Sequence, residues 1–175
     1  MLSIKNILFL AVAATGSVVK RDVAQVKQGL QTINADTVAV TNAVNNYHGG
    51  GYDNAMPIVT AQEKLSDDSK KVTSAAQDTD DVSDADANDI FAFIDNTLGH
   101  TIEASLNALK SKREYFKADQ LEDIVKSTLQ SLQSDTDKLS DALLAKTPAD
   151  LADKAKNIQA RIYADFKDAI TYFSS

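Results

Sequence analysis

Apolar residues recur along this chain at intervals of three and four, the period of an α-helix with one buried face. The first stripe is Val23, Val26, Leu30, Ile33, Thr37, Val40, Val44 and Tyr47, and it predicts a helix from about Asp22 to Tyr47. Asp22 suits the positive end of that helix, and Gly49-Gly50-Gly51 releases the chain after it. The second stripe, Ile58, Ala61, Leu65, Ser69, Val72 and Ala76, predicts a helix from Asp53 or Met56 to Thr79. Pro57 would fall in its first turn, where proline is tolerated.

A third stripe, Ile90, Phe91, Ile94, Leu98, Ile102, Leu106 and Leu109, predicts a helix over Ser83 to Lys110, with Phe93 widening its apolar face. Gly99 in its middle costs about 1 kcal/mol relative to alanine, which points to close packing or to reserved space. The polar stretch Ser111 to Asp119 is the expected break before a fourth helix from Asp119 to Lys146, with continuation of the third helix through Tyr115 and Phe116 as the alternative. The fourth helix carries Leu121, Val125, Thr128, Leu132, Thr136, Leu139 and Leu143, flanked by Ile124 and Leu129. Thr147, Pro148 and Asp150 supply the cap, the first residue and the first-turn acid of a fifth. Its stripe is Leu151, Ala155, Ile158, Ile162, Phe166, Ala169 and Phe173. No stretch reads as a strand. The pattern predicts an all-α, single-domain, up-and-down bundle of about five amphipathic helices joined by short connections.

Residues 1–21 stand outside this pattern. Lys5, the apolar run Ile7 to Ala14 and the small residues Ala11 and Ala13 form a secretory signal. The run falls short of the roughly 20 apolar residues that span a bilayer. Lys20-Arg21 then reads as a dibasic processing site, so residues 22–175 form the expected mature domain, secreted and without an integral membrane segment. Three of the 18 basic residues and none of the 25 acidic ones precede Asp22, leaving a domain with a formal charge near −10. Phosphate backbones and anionic headgroups repel such a chain, which disfavours nucleic acid and adsorption to anionic lipid. The absence of cysteine removes disulfides, thiol catalysis and thiolate metal sites. No N-glycosylation triplet occurs.

Residues suited to catalysis are scarce. His48 adjoins the glycine run and His100 pairs only with Glu103, so neither has a metal-ligand spacing. Asp84, Asp86 and Asn88 match alternate positions of a calcium loop, but Asp89 replaces the turn glycine and Asp95 the bidentate glutamate. Acids at that place complement the dipole of the helix that follows. No cofactor and no enzymatic activity are expected.

The polar residues inside the stripes are more informative. Thr37, Ser69, Thr128 and Thr136 each need a partner if buried. One solution is the carbonyl four residues back; the other is the polar head of a lipid in a cavity. Aromatics that could gate such a cavity are Tyr47, Phe91, Phe93, Tyr115, Phe116, Tyr163, Phe166, Tyr172 and Phe173. The largely aliphatic lining suits alkyl chains better than sugars.

The Lys-Arg leader, VAQVKQGLQTINADTVAVTNAVNNYHGGG over residues 23–51 and AMPIVTAQEKL over 55–65 resemble the fungal hydrophobic surface-binding protein A family, which overlaps the cell-wall galactomannoprotein antigens. LSDALLAKTPADLADKAKNIQARI, residues 139–162, extends the resemblance. It implies a secreted, non-catalytic helical domain, free or wall-associated, that encloses fatty acids or binds hydrophobic surfaces. The stripes then nominate the lipid contacts: Ile33, Thr37, Val40, Leu65, Ser69, Val72, Phe91, Ile94, Leu98, Ile102, Thr128, Leu132, Thr136, Ile162 and Phe166. The expected form is a monomer carrying a fatty acid or similar lipid. The alternatives are an adhesion protein coating hydrophobic solids, with hydrolases recruited to them, and an inert wall antigen with a fully packed core.

Overall fold

A computed structural model describes residues 19–174, with side chains from Val23 onward. The proposed signal run Ile7 to Ala14 lies outside the described residues. Those described form α1 (Val19–Asn46), α2 (Tyr52–Asp78), α3 (Asp84–Phe93), α4 (Gly99–Ser111), α5 (Arg113–Ala118), α6 (Glu122–Ala145) and α7 (Ala152–Tyr172), with no strand among them. A π-helical turn, Ile94–Leu98, joins α3 to α4 in one continuous rod. The fold is therefore all-helical and single-domain, with five long rods and one short helix, α5, where a polar break was expected.

Pairs of touching residues fix the direction of each rod. Gly29 faces Val72 and Asp36 meets Lys64, so α1 and α2 run antiparallel. Lys27 reaches Asp86 and Asp89 while Tyr47 stacks on Phe116, so the α3–α4 rod runs parallel to α1. Ser66 meets Asp135, and the Val82 amide donates to the Lys146 carbonyl, so α2 and α6 also run parallel. Arg161–Asp95 and Lys110–Asp168 set α7 parallel to α3–α4. Direction alternates along the chain, yet the rods close into a ring in the order α1, α2, α6, α7, α4. The rod α3–α4 thus packs across α1 from α2, its predecessor.

Local chemistry explains most boundaries. Ser83 caps α3: its hydroxyl accepts from the Asp86 amide and donates to the Asp86 carboxylate. The acids considered for calcium occupy this first turn and its ion pairs, Lys27 with Asp86 and Asp89 at 2.9 Å each. Four expectations are corrected. First, α1 begins at Val19, ahead of Asp22, so Lys20 and Arg21 lie in its first turn. Second, α2 begins at Tyr52, which places Pro57 beyond the first turn. Third, Thr147 closes α6, its hydroxyl donating to the Leu143 carbonyl at 2.8 Å, and α7 begins at Ala152 after a short 3-10 turn.

Fourth, the third helix is not uniform. Its stripe advances by fours through Ile90, Ile94, Leu98, Ile102 and Leu106. On a straight α-helix each such step drifts by about 40° around the axis. The π-turn absorbs that drift, so Ile90, Ile94, Leu98, Ile102 and Leu106 are all buried. Gly99 closes the turn, its amide donating to the Ile94 carbonyl. An added Cβ there would lie 3.1 Å from Arg161 Nη2 and 3.0 Å from the Ile94 carbonyl oxygen, so the glycine serves close packing.

Candidate functional site

The stripes meet in a central cavity of about 70 Å³. Each rod contributes to its wall: Leu30, Ile33, Thr37 and Val40 from α1, Leu65 and Ser69 from α2, Leu98 from the end of the π-turn, and Ile102, Ser105, Leu106 and Leu109 from α4. Ile94 of the π-turn, Leu129, Leu132, Thr136, Leu139, Ser140 and Leu143 from α6, and Ile162 and Phe166 from α7 complete it. Of the nominated contacts, Ile33, Thr37, Val40, Leu65, Ser69, Ile94, Leu98, Ile102, Leu132, Thr136, Ile162 and Phe166 are brought together here.

Three are not. Val72 packs over Gly29, where a Cβ on the glycine would come within 2.4 Å of Val72 Cγ2, so it belongs to the α1–α2 interface. Phe91 lines a smaller cavity of about 20 Å³ at the far end of the bundle, with Val23, Val26, Ile90 and Leu143. Thr128 lies one residue round the helix from Leu129 and faces a cleft of about 50 Å³ between α2 and α6. The cleft and the central cavity share Val40, Leu109, Leu129 and Leu132 as a common wall.

Two serines of the central wall, Ser105 and Ser140, were missed. Ser105 carries a legible signal, since it stands three residues after Ile102 and four before Leu109. The hydroxyls divide into two groups. Thr37 and Thr136 donate to the carbonyls of Ile33 and Leu132, both at 2.8 Å, and are satisfied within their own helices. Ser69, Ser105 and Ser140 take no protein partner among the described residues. Their oxygens are open to the cavity, so a polar group that enters it can bond them.

Most of the candidate gating aromatics sit elsewhere. Tyr47, Tyr115, Phe116, Tyr172 and Phe173 form a cluster at the end where α1, α5 and α7 meet, with Tyr47 stacked on Phe116 at 4.9 Å between ring centres. There the Tyr47 hydroxyl donates to Asp119 and, with the nearby backbone of Gly51 and Gly50, holds its carboxyl below the ordinary range. Burial, then Asp119, pushes the Tyr47 phenol up. His48 and His100 are exposed. No group of acids and histidines that could hold a metal occurs among the described residues, and no described helix is long and apolar enough to cross a membrane.

The sequence profile of the family described as hydrophobic surface binding protein A matches residues 23–145. The chain belongs to that family. No individually curated protein matches it. Among solved structures, this family member is similar to Afmp4p in complex with palmitic acid, at 28% identity and a TM-score of 0.83, over 86% of this chain and 99% of that one. Ligand binding domain 1 of the Penicillium marneffei MP1 protein, complexed with arachidonic acids, superposes with a TM-score of 0.82 at 19% identity, covering 89% and 100% of the two chains. Domain 2 of that protein, with multiple arachidonic acids, gives 0.81 at 21% identity, over 90% and 99%. The two MP1 domains share the fold.

Proposed function

We propose that this chain is a secreted, non-catalytic carrier that holds the acyl chain of a fatty acid inside the bundle. The central cavity carries this reading, because its wall is aliphatic except for hydroxyls, three of them without a protein partner. The family and the palmitic acid in Afmp4p support the same ligand class. Processing after Arg21 belongs to the proposal, and it would spare every core residue among those whose side chains are described, of which Val23 is the first.

Size then dictates how the carrier works. A cavity of about 70 Å³ is less than half the ~150 Å³ apolar void that accommodates benzene. An acyl chain fits only if the rods separate and the three spaces along the bundle merge. About 15 methylenes at roughly 0.8 kcal/mol each give a gross driving force near 12 kcal/mol. Helix separation, association and ordering consume much of that, which leaves micromolar affinity or better. Ser69, Ser105 and Ser140 are the proposed donors to the carboxylate.

The same separation would also let the stripes lie on a hydrophobic solid, so adhesion to surfaces is the second reading; it is favoured by how little space the closed bundle encloses. Displacement of a fluorescent fatty acid by palmitic acid tests the carrier. The expected result is saturable one-to-one competition that is lost in Leu132→Trp, whose indole fills the shared wall. Adsorption to hydrophobic beads with no saturable fatty-acid binding would move the assignment to adhesion.

A further inference from the structure

A partition of side chains separates the α2–α6 cleft from the central cavity. We propose that this cleft is the entrance through which an acyl chain reaches the interior, with the first turn of α2 as its hinged cover. The proposal rests on the fatty-acid role given above.

Four observations converge on this cleft. Its walls are apolar, built from Tyr52, Ile58, Val59, Ile124, Val125 and Thr128, and its floor is the shared wall of Val40, Leu109, Leu129 and Leu132. Rotation of Leu129 and Leu132 would join the two spaces. Its rim is exposed: Tyr52 and Ile124 keep 49% and 46% of their surface in solvent, and Met56, one turn on from Tyr52, keeps 39%. A single exposed apolar residue is ordinary, but Tyr52 and Ile124 face each other across one mouth, with exposed Met56 on the adjoining turn, and so offer apolar surface to an apolar ligand.

The seam between the two helices is fastened unevenly. Its far half is tied by Ser66 to Asp135, by Lys70 to the same carboxylate and by the Val82–Lys146 backbone bond. On the cleft side of Ser66, no hydrogen bond or ion pair joins α2 to α6 among the described residues. The opposite end of the bundle offers no equal route, since its cavity of about 20 Å³ shares only Leu143 with the central one.

The cover has a hinge on either side. Gly49, Gly50 and Gly51 take φ of 85°, 102° and 84°, left-handed values that lend the backbone freedom other residues lack. Pro57 has no N–H to return to the Asp53 carbonyl, so the turn Tyr52 to Met56 is joined to the rest of α2 by one hydrogen bond fewer than an unbroken ladder would give. Gly51 gives that turn no side-chain cap. Asp119, whose carboxylate accepts from the Tyr47 hydroxyl and lies against the glycine run, 3.4 Å from where a Cβ on Gly49 would stand, is the latch that holds the cover down.

The chain lacks cysteine, so Ile124→Cys creates a unique attachment point for a bulky maleimide at an exposed position. Ala160→Cys, exposed on α7, is the control. Stopped-flow fluorescence with cis-parinaric acid reads uptake and release. Labelled Cys at 124 is expected to slow both by about tenfold while Kd stays within about threefold, with no change in the control. Pro57→Ala, which restores the missing N–H, is expected to slow uptake by about threefold at unchanged Kd. Unaltered rates in the labelled 124 variant, with binding intact, would overturn the entrance and leave the carrier standing. Absence of parinaric acid binding by the unmodified protein would overturn the carrier, and the entrance with it.

Discussion

The Tyr47 hydroxyl donates a hydrogen bond to the carboxylate of Asp119, 72 residues further along the chain, and so ties the end of α1 to the turn before α6. The same carboxylate lies against the glycine run, 3.4 Å from where a Cβ on Gly49 would stand. One acid thereby organises three elements at the end of the bundle that holds the aromatic cluster. Tyr47→Phe keeps the stacking on Phe116 and removes only the hydroxyl. It should lower stability by about 1 kcal/mol, discounted for the solvent reach of Asp119 and measured by urea denaturation.

Acid should weaken this tie, and the sign follows from the directions of the shifts. Asp119, through Tyr47 and the nearby glycine backbone, and Asp68, through Lys71 and then Lys64, are held below the ordinary carboxyl value. Their contributions are present above the unfolded pKa, about 3.9, and are lost as pH falls through the folded values. Burial first raises Asp137 and Asp165, with help from Asp141 and Glu103 respectively, so their protonation favours the folded state. Thermal midpoints should therefore hold or rise slightly from pH 7 toward about 5, then fall below about 4. In Asp119→Asn the fall at low pH should shrink.

Gly29→Ala should destabilise by about 1–3 kcal/mol, because the new methyl would collide with Val72 Cγ2 across the α1–α2 interface. Val72→Ala alone should also destabilise. The double variant should recover part of the combined loss, and a double-mutant cycle with a coupling energy near zero would remove the steric explanation.

Gln120 ends α5 in the left-handed region, φ 60°, with the Leu121 amide donating to the Phe116 carbonyl and its own amide to the Lys117 carbonyl. Glycine is the usual residue at that position of such a turn. Gln120→Gly should stabilise the protein by about 0.5–1 kcal/mol in thermal or urea unfolding, since the glycine relieves a conformational cost at a turn kept for its geometry.

Much of the bundle is legible in the stripe spacing. The α1 stripe of alternating three- and four-residue steps is buried from Val23 to Tyr47, and Ser83 caps the helix it precedes. The π-turn was in principle legible too, as a run of four-residue steps through Ile90, Ile94, Leu98, Ile102 and Leu106. What spacing does not carry is the ring order. Placing α6 beside α2 depends on pairs such as Ser66 and Asp135, which are distant in sequence. That order decides why Thr128 faces the cleft and Val72 the α1–α2 interface, while Ser105 and Ser140 reach the central cavity.

The serines offer a test that separates binding from structure. Ser69→Ala and Ser105→Ala remove hydroxyls without protein partners, so stability should hold or rise while affinity for palmitic acid falls by about tenfold for each lost hydrogen bond to the carboxylate. Thr136→Val removes a hydroxyl already satisfied by Leu132 and should leave affinity unchanged. Isothermal titration with palmitic acid beside urea denaturation reads both effects.

Native mass spectrometry of the purified protein, before and after equimolar palmitic acid and with organic extraction of anything that travels with it, tests the carrier most directly. A single fatty acid per chain, retained by the folded protein and lost in Leu132→Trp, is the expected result. A bare chain that takes up no fatty acid in either state would contradict an acyl chain held within the bundle.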